Sequence, residues 1–279
     1  MKKKYNYIIG DIHGCFDELL ELEEKILKHS EKHKVIPYII SCGDLVDRGH
    51  SSKEVLIHFF NGEKKGTHTS VIGNHELMML QSFECFSKQK FKEKFPKYFE
   101  TFKQMYKSNR GYLKNLSWET YKTTIKGIWL GQGGTETVQS FGLDPDDFSS
   151  WEIETEILDY ILNMPVYYED DNFIVTHALA TKEDFDLFKD FNIQKDNLEI
   201  YPEEIIKSVN TLVWNRIPPE EAISKKLHIS GHTPTKRVNR LRKANALQVD
   251  TGCVFGNRLT AYCPETKDII SIESKTRYK

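Results

Sequence analysis

Apolar and polar residues are grouped along this chain in blocks that suit short buried strands, each followed by a polar turn and an amphipathic helix. Tyr5-Asn6-Tyr7-Ile8-Ile9 predicts a first strand and Gly10-Asp11-Ile12-His13-Gly14 a turn. Phe16, Leu19, Leu20, Ile26 and Leu27 then fall at helical spacing over about residues 16–28. The apolar run 35–40 predicts a second strand. It is followed by Ser41-Cys42-Gly43-Asp44-Leu45-Val46-Asp47-Arg48-Gly49 and by a helix carrying Val55, Leu56, Phe59 and Phe60, which Asn61-Gly62 is expected to stop. Residues 67–72 predict a third strand, ending in Gly73-Asn74-His75-Glu76. Strands are also expected at 172–176, ending on His177, and at 226–230, ending on Gly231-His232-Thr233-Pro234. Residues 246–250 and 258–262 alternate as two strands of a mostly antiparallel closing section.

Between about residues 81 and 126 the texture changes to a lysine- and aromatic-rich helical region, read as an α-helical insertion whose aromatics pack internally. Ile128 to Thr135 predicts a return through a glycine-rich loop, followed by a short helix ending at Phe141-Gly142 and another over about 153–163. No internal repeat or linker divides the chain. Residues 1–279 are therefore read as a single α/β domain.

Composition narrows the class. Hydrophobic residues make up 39% of 279, enough for a large core, and a net charge of -2 gives no global pull toward nucleic acid or anionic membrane. No stable nucleic-acid partner is expected, and the oligomeric state is not readable. Lys2-Lys3-Lys4 leads directly into a strand without an apolar signal core, and no run is long enough to span a bilayer, so a cytoplasmic protein is expected. The five scattered cysteines lack metal-type pairing and read as reduced thiols.

Five strand ends deliver Asp, Asp, Asn and two His. Carboxylate, imidazole and amide oxygen without thiolate suit divalent ions of intermediate hardness, with Mn2+ the first expectation and Fe2+ or Zn2+ as alternatives. With His13 of the first turn, six such side chains exceed the needs of one ion that keeps positions open for water. Two ions sharing a carboxylate is therefore the expected arrangement, and it is suited to phosphoester hydrolysis. His75 follows Asn74 and is placed to protonate a leaving alkoxide, with Asp47 orienting its ring; Arg48 offers a fork of donors that matches phosphoryl oxygens.

These motifs together, from Gly10-Asp11-Ile12-His13-Gly14 through Gly231-His232-Thr233-Pro234, resemble the phosphoprotein-phosphatase branch of the calcineurin-like metallophosphoesterases, in its bacterial and phage form. The resemblance implies a four-layer α/β/β/α sandwich with a dinuclear centre at the strand ends. Asp11 and His13 would bind the first metal, Asp44 would bridge, and Asn74, His177 and His232 would bind the second. His75 with Asp47 would be the general-acid pair. Arg48, Asn74 and Arg216 would contact the phosphate. Leu179 stands where the family pattern carries glycine.

The leading expectation is a bacterial-type Ser/Thr protein phosphatase acting on a phosphorylated protein. The competing one is a pyrophosphohydrolase of dinucleoside polyphosphates or nucleotide-capped RNA ends, motivated by the basic run Lys236, Arg237, Arg240, Arg242 and Lys243. A third reading, an inactive module that binds phosphoprotein or nucleic acid, conflicts with the intact ligand set.

Overall fold

A computed structural model describes residues 3–86, 115–189 and 203–278. The first three predicted strands form as β1 (Lys4–Ile9), β2 (Ile36–Ser41) and β3 (His68–Ser70), all parallel. Their register sets Ile9 beside Ser41 and Ser41 beside Ser70, so the three strands end level. The residues just beyond those ends, Asp11, Asp44 and Asn74, are thereby delivered to one edge of the sheet, where ligands of open parallel sheets bind.

A second sheet contains β4 (Tyr167–Glu169), β5 (Phe173–Thr176), β6 (Leu227–Ser230), β7 (Asn239–Leu241) and β8 (Ala246–Gln248), in the order β4-β5-β6-β8-β7. β5, β6 and β8 are parallel, and Thr176, Ser230 and Gln248 stand level across them. His177, His232 and Asp250 follow these ends. The last two strands, β9 (Arg258–Cys263) and β10 (Asp268–Glu273), complete the first sheet in the order β10-β9-β1-β2-β3.

The period-two alternation of the strands then assigns each face. Ile8, Ile40 and Val71 from the first sheet and Phe173, Val175, Ile229 and Leu247 from the second bury one cluster between the sheets. Their neighbours Tyr7, Ile9 and Ile174 point the other way. Outside the first sheet lie α1 (Phe16–His33) and α2 (Ser52–Lys64), which bury Leu19, Leu22, Val55 and Phe59. Outside the second lies α7 (Lys182–Lys189), whose Phe185 ring meets Tyr167 of β4 at 5.2 Å. The order is helix, sheet, sheet, helix, as the resemblance implied. The remaining helices are α3 (Asn74–Phe86), α4 (Trp118–Trp129), α5 (Thr135–Ser140), α6 (Thr155–Leu162) and α8 (Glu203–Trp214). Among the described residues, no helix is long and apolar enough to cross a membrane.

Several local expectations change. Residues 87–114, most of the expected 81–126 insertion, lie outside the described residues; its two ends are the helices α3 and α4. Asn61-Gly62 does not stop α2, which continues to Lys64. Gly62 instead makes room for a strand side chain, since a Cβ there would sit 2.2 Å from His68 Nδ1. The strands at 246–250 and 258–262 do not form one closing section. β8 joins the second sheet parallel to β6, while β9 pairs antiparallel with β1. The glycine-rich loop after Ile128 is instead helical: α4 runs through Trp129 into a single wide turn over Leu130–Gly134, kinked at Gly133 with φ 115°.

Candidate active site and metal centre

The level strand ends bring Asp11, His13, Asp44, Asp47, Asn74, His75, His177 and His232 into one buried cluster, with none more than 4% exposed. Asp44 lies between two donor groups. Its Oδ2 is 3.4 Å from His13 Nε2 and 3.9 Å from His75 Nε2, while its Oδ1 is 3.4 Å from His177 Nε2. On the first side, Asp11 Oδ2 is 4.0 Å from His13 Nε2. On the second, His177 Nε2 lies 2.9 Å from Asn74 Oδ1 and 3.1 Å from His232 Nδ1.

Backbone groups fix which ring nitrogens face inward. His13 Nδ1 donates to the Val46 carbonyl at 2.8 Å and His177 Nδ1 to the Cys42 carbonyl at 2.7 Å, leaving both Nε2 lone pairs on the cluster. Burial holds His13 well below the ordinary imidazole value and lowers His177 and His232 to about 3, so all three are neutral donors. Burial also raises the Asp11 carboxyl, and the Asp250 and Asp44 carboxylates beside it add to the effect. His232 turns its Nδ1 toward the cluster, 3.1 Å from His177 Nε2. Neutral imidazoles aimed at crowded carboxylates and an amide oxygen form a donor set that fits divalent cations.

The backbone is bent to achieve this. His13, Asp44, Asp47, Arg48 and His232 all have φ between 48° and 75°, a conformation that costs roughly 1–3 kcal/mol per residue outside glycine and collects at functional sites. Glu76 holds the Asp44 loop in place. Its carboxylate accepts the backbone N–H groups of Gly73 (2.8 Å), Asp44 (2.9 Å), Leu45 (2.7 Å) and Val46 (3.2 Å). Burial and the neighbouring Asp44 carboxylate push Glu76 upward, and the backbone N–H groups it accepts oppose them.

His75 Nδ1 lies 2.6 Å from Asp47 Oδ2, and Arg48 contacts the other side of the ring through Nη2, 2.9 Å from His75 Nε2. Arg48 Nη1 also contacts His13 Nε2. Asp47 in turn accepts the Trp129 indole N–H at 2.9 Å and the Thr137 hydroxyl at 2.7 Å. The wide turn after Trp129 lies against the Arg48 backbone: Arg48 N donates to the Gly133 carbonyl at 3.0 Å, and a Cβ on Gly133 would come within 2.4 Å of Arg48 N.

A cleft opens over this cluster. Arg48, Asn74, His75, Gln132, Trp214, Arg216, Pro234, Asp250 and Phe255 line it. Arg216 is exposed at the rim, apart from the buried donors. Leu179 is buried against Ala244 and Ala246 and keeps a negative φ, so the missing glycine does not displace His177.

Four residues with a place in the site carried no assigned role in the sequence: Glu76, Asp250, Trp129 and Thr137. Glu76 has a readable signal, since it stands three residues after the N-cap Gly73, where a Glu reaches back to the cap N–H. Asp250 follows a strand end as Asp11 does. Its Oδ1 accepts the Gly252 N–H at 2.9 Å, and burial raises it to about 6. Trp129 and Thr137 meet Asp47 across 82 and 90 residues of chain, which no local pattern announces.

The chain is 25% identical over 283 residues to bis(5'-nucleosyl)-tetraphosphatase PrpE [asymmetrical] of Bacillus velezensis, covering 97% of this chain and 93% of the relative. It is 26% identical over 288 residues to the symmetrical bis(5'-nucleosyl)-tetraphosphatase of Baumannia cicadellinicola, again with 97% and 93% covered. A crystal structure of a candidate diadenosine tetraphosphatase shares the fold at a TM-score of 0.52 and 17% identity, with 98% of this chain and 99% of that chain covered. The family of calcineurin-like phosphoesterases matches over residues 7–236, and its members use a dinuclear metal centre. With that match across most of its length, the chain belongs to the calcineurin-like phosphoesterase family and is a phosphoester hydrolase.

Proposed function

We propose that this protein hydrolyses nucleotide polyphosphates, with dinucleoside polyphosphates of the diadenosine tetraphosphate kind as the preferred class. One observation carries the chemistry: the two oxygens of Asp44 face two separate donor groups. The choice of substrate draws on the relatives, which match over 97% of the chain and are named tetraphosphatases. This reverses the order expected from the sequence, where a Ser/Thr protein phosphatase came first. The exposed residues Lys236 and Arg237 support the new order. They follow Pro234 at the cleft wall and offer positive charge to phosphates beyond the one being cleaved.

In this reading Asp11, His13 and Asp44 would hold one divalent ion, and Asp44, Asn74, His177 and His232 would hold the other, with Mn2+ proposed and Fe2+ or Zn2+ suited to the same donors. Ions bound there neutralise phosphate charge and lower the pKa of water. Arg48 places its guanidinium against two phosphoryl oxygens, with Asn74 beside it and Arg216 reaching in from the rim. His75 Nε2, which accepts from Arg48 Nη2 in this structure, would take up a proton and pass it to the leaving oxygen when the Arg48 guanidinium turns to the phosphate. Asp47 accepts from Nδ1 and holds the imidazolium in orientation. We also take residues 1–279 as a single domain, because all described strands fall in one pair of facing sheets.

The test compares kcat/KM for diadenosine tetraphosphate and a phosphopeptide at equal concentration with Mn2+. A preference of tenfold or more for the dinucleotide is expected, and the reverse ratio returns the protein-phosphatase reading. Chelation should abolish turnover of both and Mn2+ should restore it. His75→Asn should abolish hydrolysis while leaving metal content intact. A His75→Asn variant of full activity sinks the assigned acid, and absence of turnover on every phosphate ester tried would leave only a binding role.

A further inference from the structure

A second convergence of metal-type donors lies outside the catalytic cluster. Glu23 projects from α1, His58 from α2 and His68 from the first residue of β3, the end of that strand opposite to Gly73 and Asn74. Glu23 Oε1 lies 2.8 Å from His58 Nε2 and 3.3 Å from His68 Nε2, and the donor atoms of the three residues all fall within 4.8 Å of one another. Tetrahedral zinc with bonds of about 2.0–2.1 Å sets its ligand atoms about 3.3 Å apart. The two Glu23 distances, 2.8 and 3.3 Å, stand near that spacing, and the third lies within 4.8 Å.

Their surroundings orient them. The Thr67 hydroxyl donates to the Gly62 carbonyl at 3.1 Å and therefore accepts from His68 Nδ1–H at 2.8 Å. That bond leaves the His68 Nε2 lone pair facing the Glu23 carboxylate, an arrangement that is repulsive unless a cation or a second ring proton lies between them. The His68 ring is wedged against Phe59 at 5.4 Å, and the His58 ring against Phe16 at 5.7 Å. Helix α2 carries glycine at position 62, where any Cβ would strike the His68 ring. The side chains are 18%, 25% and 11% exposed for Glu23, His58 and His68, open enough for an ion to enter and keep a water. Two imidazoles with one carboxylate select Zn2+ over Mg2+ or Ca2+.

We propose that Glu23, His58 and His68 form a separate, non-catalytic site for one zinc ion that ties α1, α2 and β3 together. The site is independent of the substrate reading, because none of its residues lines the cleft. The fixed Nδ1–H of His68 supplies the outer hydrogen bond that zinc-ligating imidazoles use.

The experiment is zinc titration of the metal-stripped full chain, reading bound zinc per chain and the thermal midpoint. His58→Gln and His68→Gln should each bind one zinc fewer than wild type. Each should also lose a zinc-dependent rise in Tm of about 5 °C or more. Both should keep Mn2+-dependent hydrolysis within twofold, which also reports that they fold. If His68→Gln fails to fold, the more exposed His58→Gln carries the comparison. Zinc content equal to wild type in folded His58→Gln overturns the proposal and leaves a hydrogen-bonded His-Glu-His cluster. His29, His33 and Asp268 form a rival donor group. Loss of the extra zinc from His29→Gln, with none lost from His58→Gln, overturns it equally.

Discussion

Trp129 donates its indole N–H to the Asp47 carboxylate at 2.9 Å, and that carboxylate lies 2.6 Å from His75 Nδ1. An element joined to the sheets only through a long stretch of chain thus determines how the acid pair is held. With Trp129 and Thr137 behind it, Asp47 has one direction left in which to accept, toward the imidazole. Arg48 meets the opposite ring nitrogen, so the His75 ring is fixed from both sides.

Asp47→Asn should therefore lower kcat by roughly 100-fold or more, the scale of a lost acid-base contribution. The amide still accepts from His75 Nδ1, but it cannot balance an imidazolium charge, and its NH2 faces the Trp129 N–H. KM and bound metal should stay near wild type. Trp129→Phe removes one donor and part of the buried ring but leaves the Asp47 carboxylate in place, so a milder fall of roughly tenfold is expected. Steady-state kinetics at saturating Mn2+, with metal content measured in parallel, checks both. A larger loss in Trp129→Phe than in Asp47→Asn would refute this hierarchy.

Glu76→Gln tests the support of the metal loop. One carboxylate oxygen accepts from Gly73 and Asp44 and the other from Leu45 and Val46, all buried. An amide nitrogen at either place confronts two N–H donors. Each buried donor left unmet costs about 1–3 kcal/mol, so a loss of roughly 2–6 kcal/mol is expected in urea unfolding. Because Asp44 sits in this loop, the metal concentration needed for half-maximal activity should rise as well. A variant that lost stability but kept its metal dependence would confine Glu76 to folding.

The central fold was readable because it obeys a local rule: an apolar run, a glycine turn and an amphipathic helix, repeated with an acid, amide or imidazole at each turn. Asp11, Asp44, Asn74, His177 and His232 are all one to four residues past a strand, so local pattern sufficed to place them. What local pattern cannot supply is pairing across the chain. β8 and β9 look alike in sequence yet enter different sheets, because only distant partners decide between β6 and β1. The edge strands β4 and β7 have three residues each, too few for a periodic signal. Gly62 looks like a helix stop in sequence because its cause, the ring of His68, lies on another element. Trp129 escaped for the same reason.

The basic run should act on substrate capture and leave the chemical step unchanged. Lys236 and Arg237 are exposed, and the Asn257 side chain holds the carbonyl oxygens of Thr235 and Lys236 at 3.4 Å, beside Phe255 of the cleft. Exposed charges contribute up to about 1 kcal/mol each. Lys236→Ala with Arg237→Ala should therefore raise KM for diadenosine tetraphosphate roughly threefold to tenfold and flatten its salt dependence. Turnover of a small aryl phosphate, which cannot reach these residues, should not change. Equal effects on both substrates would show that the run supports the cleft structure and does not bind polyphosphate.

His228 makes the protein sensitive to acid. It lies fully buried in β6 with Nε2 2.7 Å from the Thr176 hydroxyl, and that hydroxyl donates to the Ala178 carbonyl. His228 Nε2 must therefore carry the proton, while Nδ1 has no partner and nowhere to place a second one. Burial lowers the residue to about 4. The folded value lies below the unfolded value of about 6.5, so between these limits the unfolded chain binds the extra proton and the native chain does not. The stability is complete above pH 6.5 and declines as pH falls toward 4. For one such group the decline amounts to about 1.5 kcal/mol between pH 6.5 and pH 5. The buried carboxyls Asp11, Asp250 and Glu76 are raised and act in the opposite sense, so wild type alone does not isolate the effect. Their contributions cancel in the difference between wild type and His228→Gln, whose amide still donates to Thr176. Urea unfolding of both chains in chelator should show wild type losing about 1.5 kcal/mol more than the variant over that range, and parallel pH curves would refute the assignment.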